Sequence, residues 1–268
     1  MKRSRWPIVL MAAAALALLG AACGKGSRSR GNLSVSVRSG ATAPTMGGSL
    51  DLGGGILVNE IRLAVVKVAL ESGQDAGDAS DSNASAGVRA LDEGGGGGGG
   101  GDGGGEGESD EVRVGPCLID LTGSQLTAGN DAVSPVCAAD VPAGTYQELE
   151  VDVGPVAAGA AAGVVGLPAM NGRSVIVDGT FDGAAFSFQS TLDVRQKTEA
   201  VITVGGSNNV TISLDPTGWF AAPGGGILDP TTATNRSAIE GNIRASIRSF
   251  EDDDRDGQED GDHGGGGG

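Results

Sequence analysis

Histidine occurs once in these 268 residues, at His263, and the aromatic side chains amount to two Trp, one Tyr and five Phe. A lone histidine in a Gly- and Asp-rich stretch near the C-terminus leaves Ser-His or Cys-His nucleophilic chemistry without a held base. Cysteine is nearly as scarce, with three in all and no Cys-x-x-Cys pair, which argues against a zinc site. Basic residues are outnumbered, 18 Lys and Arg against 34 Asp and Glu, for a net charge of −16. That balance excludes the basic footprint that nucleic-acid binding requires. No Walker loop or dinucleotide fingerprint occurs, because the glycine tracts are homopolymeric and flank no strand-to-helix switch. A long apolar run is missing too. The N-terminal one, Ile8 to Leu19, has twelve residues, where a spanning helix needs ~20. The expected class is therefore not an enzyme.

Glycine, in contrast, fills 50 positions, concentrated at 94–107 and at the C-terminus, where backbone entropy is high and no side chain can be buried. The acidity maps onto the same stretches. Residues 71–111 hold eleven acidic side chains and one basic, and 251–263 hold eight and one, so the rest of the chain is close to neutral. We expect long disordered Gly/Asp-rich segments there: a linker at 73–111 and an acidic, Gly-rich tail at 251–268. Blocks 31–72 and 112–250 remain to form the folded β domain.

The N-terminus has the form of an export signal, with Lys2, Arg3 and Arg5 before the apolar run and Gly20-Ala21-Ala22-Cys23 after it. Leu19-Gly20-Ala21-Ala22-Cys23 resembles the lipobox of bacterial lipoproteins. The resemblance implies a signal peptide at 1–22, lipidation of Cys23 and a membrane as its partner; Gly20 stands where that family usually has leucine. Ordinary cleavage after the small-residue Gly20-x-Ala22 site is the alternative. Residues 23–32 would form a short polar tether with Lys25, Arg28 and Arg30, reaching at most ~30 Å. The two other cysteines, Cys117 and Cys137, form an even pair once Cys23 is set aside. In an oxidising compartment a Cys117–Cys137 disulfide is expected, against two unlinked thiols.

Strand signals dominate both blocks. Leu33-Ser34-Val35-Ser36-Val37 alternates strictly. Across 56–70 the apolar phase slips between Val65 and Val66, which predicts a bulge or a strand buried on both faces. Strands are also expected at 112–114, 118–121 and 145–153. In the last, Leu149, Val151 and Val153 face the core, while Glu148, Glu150 and Asp152 face water. An Asp182-Gly183 turn would pair Phe181 with Ala184, Gly179 with Phe186 and Val177 with Phe188. A second hairpin is suggested by 200–204, a Gly205-Gly206-Ser207-Asn208 turn, and 210–214. Ile239, Ile243, Ile247 and Phe250 then recur at helical spacing behind a Ser237/Glu240 capping box, predicting a C-terminal amphipathic helix; a strand through 243–247 is the alternative.

Two constellations could carry chemistry. Asp252-x-Asp254-x-Asp256-Gly257, with Asp260 at the ninth position, matches the first half of a calcium loop, although the twelfth position is His263 rather than a bidentate glutamate. It reads as a weak Ca²⁺ site or as a solvated acidic tail; no other cofactor is expected. Trp219 and Phe220 form the densest aromatic pair, which lines a pocket for a partner or closes the end of a core.

Pro142-Ala143-Gly144-Thr145-Tyr146 resembles the turn-into-strand of transthyretin-like and other extracellular β-sandwich modules. With the export signal and the aliphatic Leu118-Ile119-Asp120-Leu121, the layout over 31–215 resembles bacterial β-sandwich lipoproteins containing a domain of unknown function, DUF4382. The resemblance implies no activity. The expected architecture is a mainly β chain, an antiparallel β-sandwich of about seven to nine strands, lipid-anchored outside the cytoplasm. Gly24 replaces the aspartate that marks inner-membrane retention in enterobacterial lipoproteins, which favours the outer membrane. The expected function is a non-enzymatic envelope or surface module for an unknown protein or glycan partner. The alternative is a metal-dependent or carboxylate-based extracytoplasmic enzyme.

Overall fold

The computed structural model describes residues 29–72, 111–126 and 133–260. The expected signal peptide, Cys23 and the rest of the expected tether through residue 28, the 73–111 linker apart from Glu111, and residues 261–268 lie outside the described residues; Arg30, Gly31 and Asn32, expected in the tether, open the first strand. Among those described, no helix is long and apolar enough to cross a membrane.

The axis of the molecule is a sixteen-residue strand, β4 (Ile56–Glu71), whose β-branched, aliphatic sequence favours an extended backbone. Its register shifts between Val65 and Lys67 where it pairs with β8 (Gly144–Val153). The phase slip in the sequence is thus a real bulge, with Val66 as the extra residue. The bulge pushes Val66 outward to 38% exposure while Ile61, Leu63, Val65, Val68 and Leu70 all stay buried.

Along one side of β4, β8 pairs with its second half and β9 (Val175–Phe181) with its first half. Outside them, β11 (Val194–Val204) pairs with β8 and β10 (Ala184–Ser190) with β9. β8 and β9 therefore form one row of strand, and β10 and β11 a second, each interrupted once. The break between β8 and β9 is pinched at Ala64, whose carbonyl accepts from the Gly154 N–H (3.1 Å) and whose N–H donates to the Ser174 carbonyl (2.8 Å). The excursion between them, including the short helix α1 (Ala158–Ala161), folds Val156, Ala161, Leu167 and Met170 over Ala64 and Ile176, burying the outer face of the sheet. The other side of β4 carries β3 (Ser49–Gly53), β6 (Cys117–Thr122) and β5 (Val112–Val114), with the two-residue β2 (Thr45–Met46) beyond β3.

The smaller sheet has the order β13 (Ile247–Glu251), β12 (Ser207–Leu214), β1 (Arg30–Ser39), β7 (Ser134–Pro142). The β1–β12 pair is parallel; the other pairs in both sheets are antiparallel. Leu33, Val35 and Val37 on β1 and Val210, Ile212 and Leu214 on β12 join the inward residues of β4 and β8 in one apolar core. Burial of each such side chain favours folding by about 1.5–3 kcal/mol. The chain is therefore mainly β, a two-sheet sandwich with a short C-terminal helix, as its alternation predicts. Among the described residues thirteen strand segments appear rather than seven to nine because the long rows are broken and several edge pieces are very short.

One side of the sandwich is closed covalently. The Cys117–Cys137 disulfide joins β6 of the larger sheet to β7 of the smaller, with Cα atoms 6.1 Å apart. At the crossing from β7 to β8, the Tyr146 hydroxyl donates to the Pro142 carbonyl (2.8 Å), the back-bond of a tyrosine corner. The 182–183 hairpin has the expected register. Asp182 and Gly183 both have positive φ (51° and 80°), as a two-residue type I′ turn requires. A Cβ on Gly179 would lie 2.1 Å from the Leu57 carbonyl oxygen, so only glycine fits there, with Phe186 across from it.

Three expectations are corrected. β11 and β12 do not form a hairpin: β11 stays with β8, while the Gly205-Gly206 turn carries the chain into the other sheet. Gly206 marks the change by accepting a backbone hydrogen bond from Asn32 (2.8 Å). The C-terminal helix, α2 (Arg236–Ser246), ends before Ile247, and Ile247 and Phe250 belong to β13. Its capping box does not form: the residue before the helix is Asn235, without a side-chain cap, and Glu240 instead accepts from the Ser190 hydroxyl (2.6 Å). The acidic stretch expected as a tail from 251 is ordered through residue 260 and lies against the smaller sheet.

Candidate functional site

The outer face of the smaller sheet is polar and yet buried. Alternation puts Ser34 and Ser36 of β1 beside Asn209 and Thr211 of β12, opposite the core, and each is less than 7% exposed. The segment 252–260 covers them. Both serine hydroxyls donate to Asn209 Oδ1 (2.9 and 2.7 Å). Asn209 Nδ2 donates to the Asp252 carbonyl (3.0 Å) and to Thr211 Oγ1 (3.0 Å). Thr211 Oγ1 donates to Asp252 Oδ2 (2.6 Å), and the Gly257 N–H reaches the same carboxylate (3.2 Å). Asp252 is completely buried by these contacts, and hydrogen bonds from Thr211 and Gly257 replace the water its carboxyl group gives up.

Asp252 thereby fixes the start of a tight loop. Gly257 has φ 78°, and the carboxylates of Asp254 and Asp256 cap the N–H groups of Asp256 (3.1 Å) and Gln258 (2.7 Å). Carboxylate oxygens of Asp252, Asp254 and Asp256 all lie within 4.8 Å of one another, a spacing that one Ca²⁺ with ligands at ~2.3–2.6 Å can bridge. Asp260 is not in that group: its Oδ2 accepts the Asp253 N–H (2.6 Å) and closes the loop. Asp253 turns the other way, accepting from the Asn209 N–H (3.0 Å) and Asn208 Nδ2 (3.1 Å). The residues present thus fit part of a calcium shell, with three carboxylates where full sites take six to eight oxygens. Within the loop the cation is Arg255, which donates to Ser34 Oγ (2.8 Å). Burial, with Asp253 and Asp260 adding repulsion, pushes Glu251 up to about 7.

A second set of charges sits on the larger sheet. Glu150, expected on the wet face of β8, is only 3% exposed. Three cations cover it: Lys67 from β4, and Lys197 (3.2 Å) and Arg195 (3.4 Å) from β11. Burial raises its carboxyl, and hydrogen bonds from Lys67 and Lys197 reverse this, leaving it below its ordinary value. Glu71 and Glu148 share Lys197, and Glu111 and Asp152 share Lys67. Glu71, Glu148 and Glu150 also come within 4.8 Å of one another, but lysines already fill the space a metal would need. This is a cross-strand ion-pair network.

Trp219 and Phe220 are buried, at 0% and 1% exposure. The indole N–H donates to Ser246 Oγ (2.6 Å), and Phe220 packs edge-on against Phe186 and Phe188. They close the core and offer no ring to a partner. Sequence reasoning missed Ser34, Asn209, Thr211 and Arg255 as supports of the acidic loop. The available signal was the strict polar alternation on β1 and β12, which leaves a polar sheet face needing a cover.

Comparison with protein-family models, with curated proteins and with solved structures finds no match.

Proposed function

We propose that this chain is an exported, non-enzymatic envelope or surface binding module of the DUF4382 type. In this reading it is tethered to a bacterial membrane, the outer membrane by preference, through lipidated Cys23. The observation that carries the reading is the Cys117–Cys137 bond. It takes up both other cysteines and leaves Cys23 alone behind the apolar leader, and such bonds belong to oxidising compartments. The geometry adds support. Ser29, six residues after Cys23, accepts from the Ala143 N–H (2.8 Å) at one end of the sandwich. The 182–183 turn and the Gly53–Gly54–Gly55 turn lie together at the opposite end, where the Asp182 N–H donates to the Gly55 carbonyl (2.9 Å). A tether at 29 would hold those glycine turns away from the bilayer, the placement that binding loops take on sandwich scaffolds. Globomycin-sensitive processing and lipid labelling, both lost in Cys23→Ala, are the expected result; unchanged membrane partition in that variant would overturn the anchor.

The clustering of Asp252, Asp254 and Asp256 favours a second reading, in which the module is calcium-dependent. Added Ca²⁺ should then raise the melting temperature, and Asp254→Ala with Asp256→Ala should abolish the rise. The absence of any shift in the unaltered chain would retire this reading.

A further inference from the structure

We propose that two copies of this chain associate through β10, pairing antiparallel about Phe186 so that their larger sheets become one. An open strand edge is a template for another strand, and proteins protect such edges with charge, proline or cover. The other edges here carry those devices. β7 has Pro135, Asp140 and Pro142; β11 has Arg195, Lys197 and Glu199; β13 has Arg248 and Glu251; β5 has Arg113; β6 has Asp120 and is stapled to β7. β2 is two residues long. β10, Ala184-Ala185-Phe186-Ser187-Phe188-Gln189-Ser190, has neither charge nor proline, and its sheet partner is β9 alone.

Its hydrogen-bonding direction follows from the turn. In a two-residue hairpin the flanking residues, Phe181 and Ala184, bond each other, so Ala184, Phe186 and Phe188 direct their backbone groups at β9. Ala185, Ser187 and Gln189 direct theirs outward. The ends agree: the Ser190 carbonyl accepts from Ser174 on the β9 side (2.9 Å), whereas the Gln189 carbonyl accepts from the Arg236 guanidinium. With the Gln189 carbonyl occupied, the outward groups left are those of Ala185 and Ser187 and the N–H of Gln189.

The occupant is argued from self-complementarity. A two-fold axis through Phe186 sets Ala185 of each copy opposite Ser187 of the other, in bonded pairs that exchange four backbone hydrogen bonds, and sets the two Phe186 residues opposite each other. No charge lies between Asp182 and Asp193, so no like charges meet, whereas a similar pairing of β11 would oppose its cations. The side chains of Ala185 and Ser187 are exposed and small, which leaves room for the approach.

The test is sedimentation velocity on the full-length chain carrying Cys23→Ala, so that neither an acyl chain nor a free thiol drives association, from micromolar to submillimolar concentration. We expect a concentration-dependent dimer. Ser187→Pro removes one outward N–H, and Ala185→Lys with Ser187→Lys places cations opposite each other across the axis. Each should weaken dimerisation tenfold or more while leaving the melting temperature of the monomer unchanged. A chain that stays monomeric throughout, or a dimer that persists in both variants, overturns the proposal.

Discussion

Glu150 and Glu251 are both strand carboxylates largely removed from water, yet they respond in opposite directions. Burial acts the same way on each. The difference lies in the company. Lys67, Lys197 and Arg195 surround Glu150 and more than offset its desolvation, whereas Glu251 faces Asp253 and Asp260. The first arrangement ties β4, β8 and β11 together through shared lysine and arginine side chains. The second collects negative charge at the edge of the smaller sheet, where Arg255 is turned to Ser34 and burial, with repulsion from Asp253 and Asp260 added, causes the Glu251 shift. Where carboxylates cluster, the cations already in place decide whether the cluster holds the fold or waits for something.

The largest effect should come from outside both regions. Replacing Cys117 and Cys137 by alanine opens a twenty-residue loop and should cost ~3 kcal/mol, read as a lower urea midpoint; since it loosens the whole sandwich, it sets the scale for the rest. Next is Lys67→Met, which strips Glu150 of its nearest cation while leaving Lys197 and Arg195. A loss of about 2 kcal/mol is expected, less than for a pair broken outright. Glu150→Leu should cost less than Lys67→Met, because Lys67 keeps Glu111 and Asp152. The reverse order would show that the lysine, not the buried acid, is the group in need of compensation. In the other region, Thr211→Val removes the hydroxyl that donates to buried Asp252 and should cost about 1–3 kcal/mol. An unchanged stability there would mean that the loop is not anchored through Asp252.

The contrast between the regions was only half visible in the sequence. Alternation in 145–153 separated Leu149, Val151 and Val153 from Glu148, Glu150 and Asp152 correctly. It could not show that Lys67 and Lys197, 83 and 47 residues away from Glu150 along the chain, lie over one of the acids. The bulge at Val66 and the register at 182–183 were legible because both are local: a phase slip has one geometric meaning, and a two-residue turn fixes its own pairing. The turn at 205–208 was equally suggestive and wrong, since β12 has a stronger competitor in β1, and glycine lets the chain leave its sheet as readily as fold back. Spacing likewise read Ile239, Ile243, Ile247 and Phe250 as one helix. Pairing of 247–251 with β12 overrode that spacing: on the strand Ile247, opposite Leu214, faces the core, whereas Phe250, opposite Thr211, lies on the other face beneath the Arg38 guanidinium. In the acidic loop, the Asp spacing pointed to Asp252, Asp254 and Asp256 together, but Ser34 and Asn209 reach that loop from 218 and 43 residues away from Asp252, beyond the range of any local pattern.

The smallest expected effect tests the unpaired side of the comparison by pH. Glu251 is raised from 4.5 to about 7 in the folded chain, so between those values the folded state holds a proton that the unfolded state has released. Stability must then fall as pH rises through this window, with the full contribution present below about 4.5 and lost above about 7. Glu150 works in the opposite sense: its lowered carboxyl supports the fold above its unfolded value and is lost as pH falls through the folded one. In Glu251→Gln the decline over the upper window should disappear, so that the variant matches the parent at pH 4.5 and exceeds it at pH 8. Urea midpoints at the two pH values read this directly. If Ca²⁺ at pH 8 stabilises the parent more than it stabilises the variant, which keeps Asp252, Asp254 and Asp256, then Glu251 is coupled to the cation held by that loop. If the parent and the variant run parallel across the whole range, the side chain of Glu251 meets solvent and the two regions differ less than their surroundings imply.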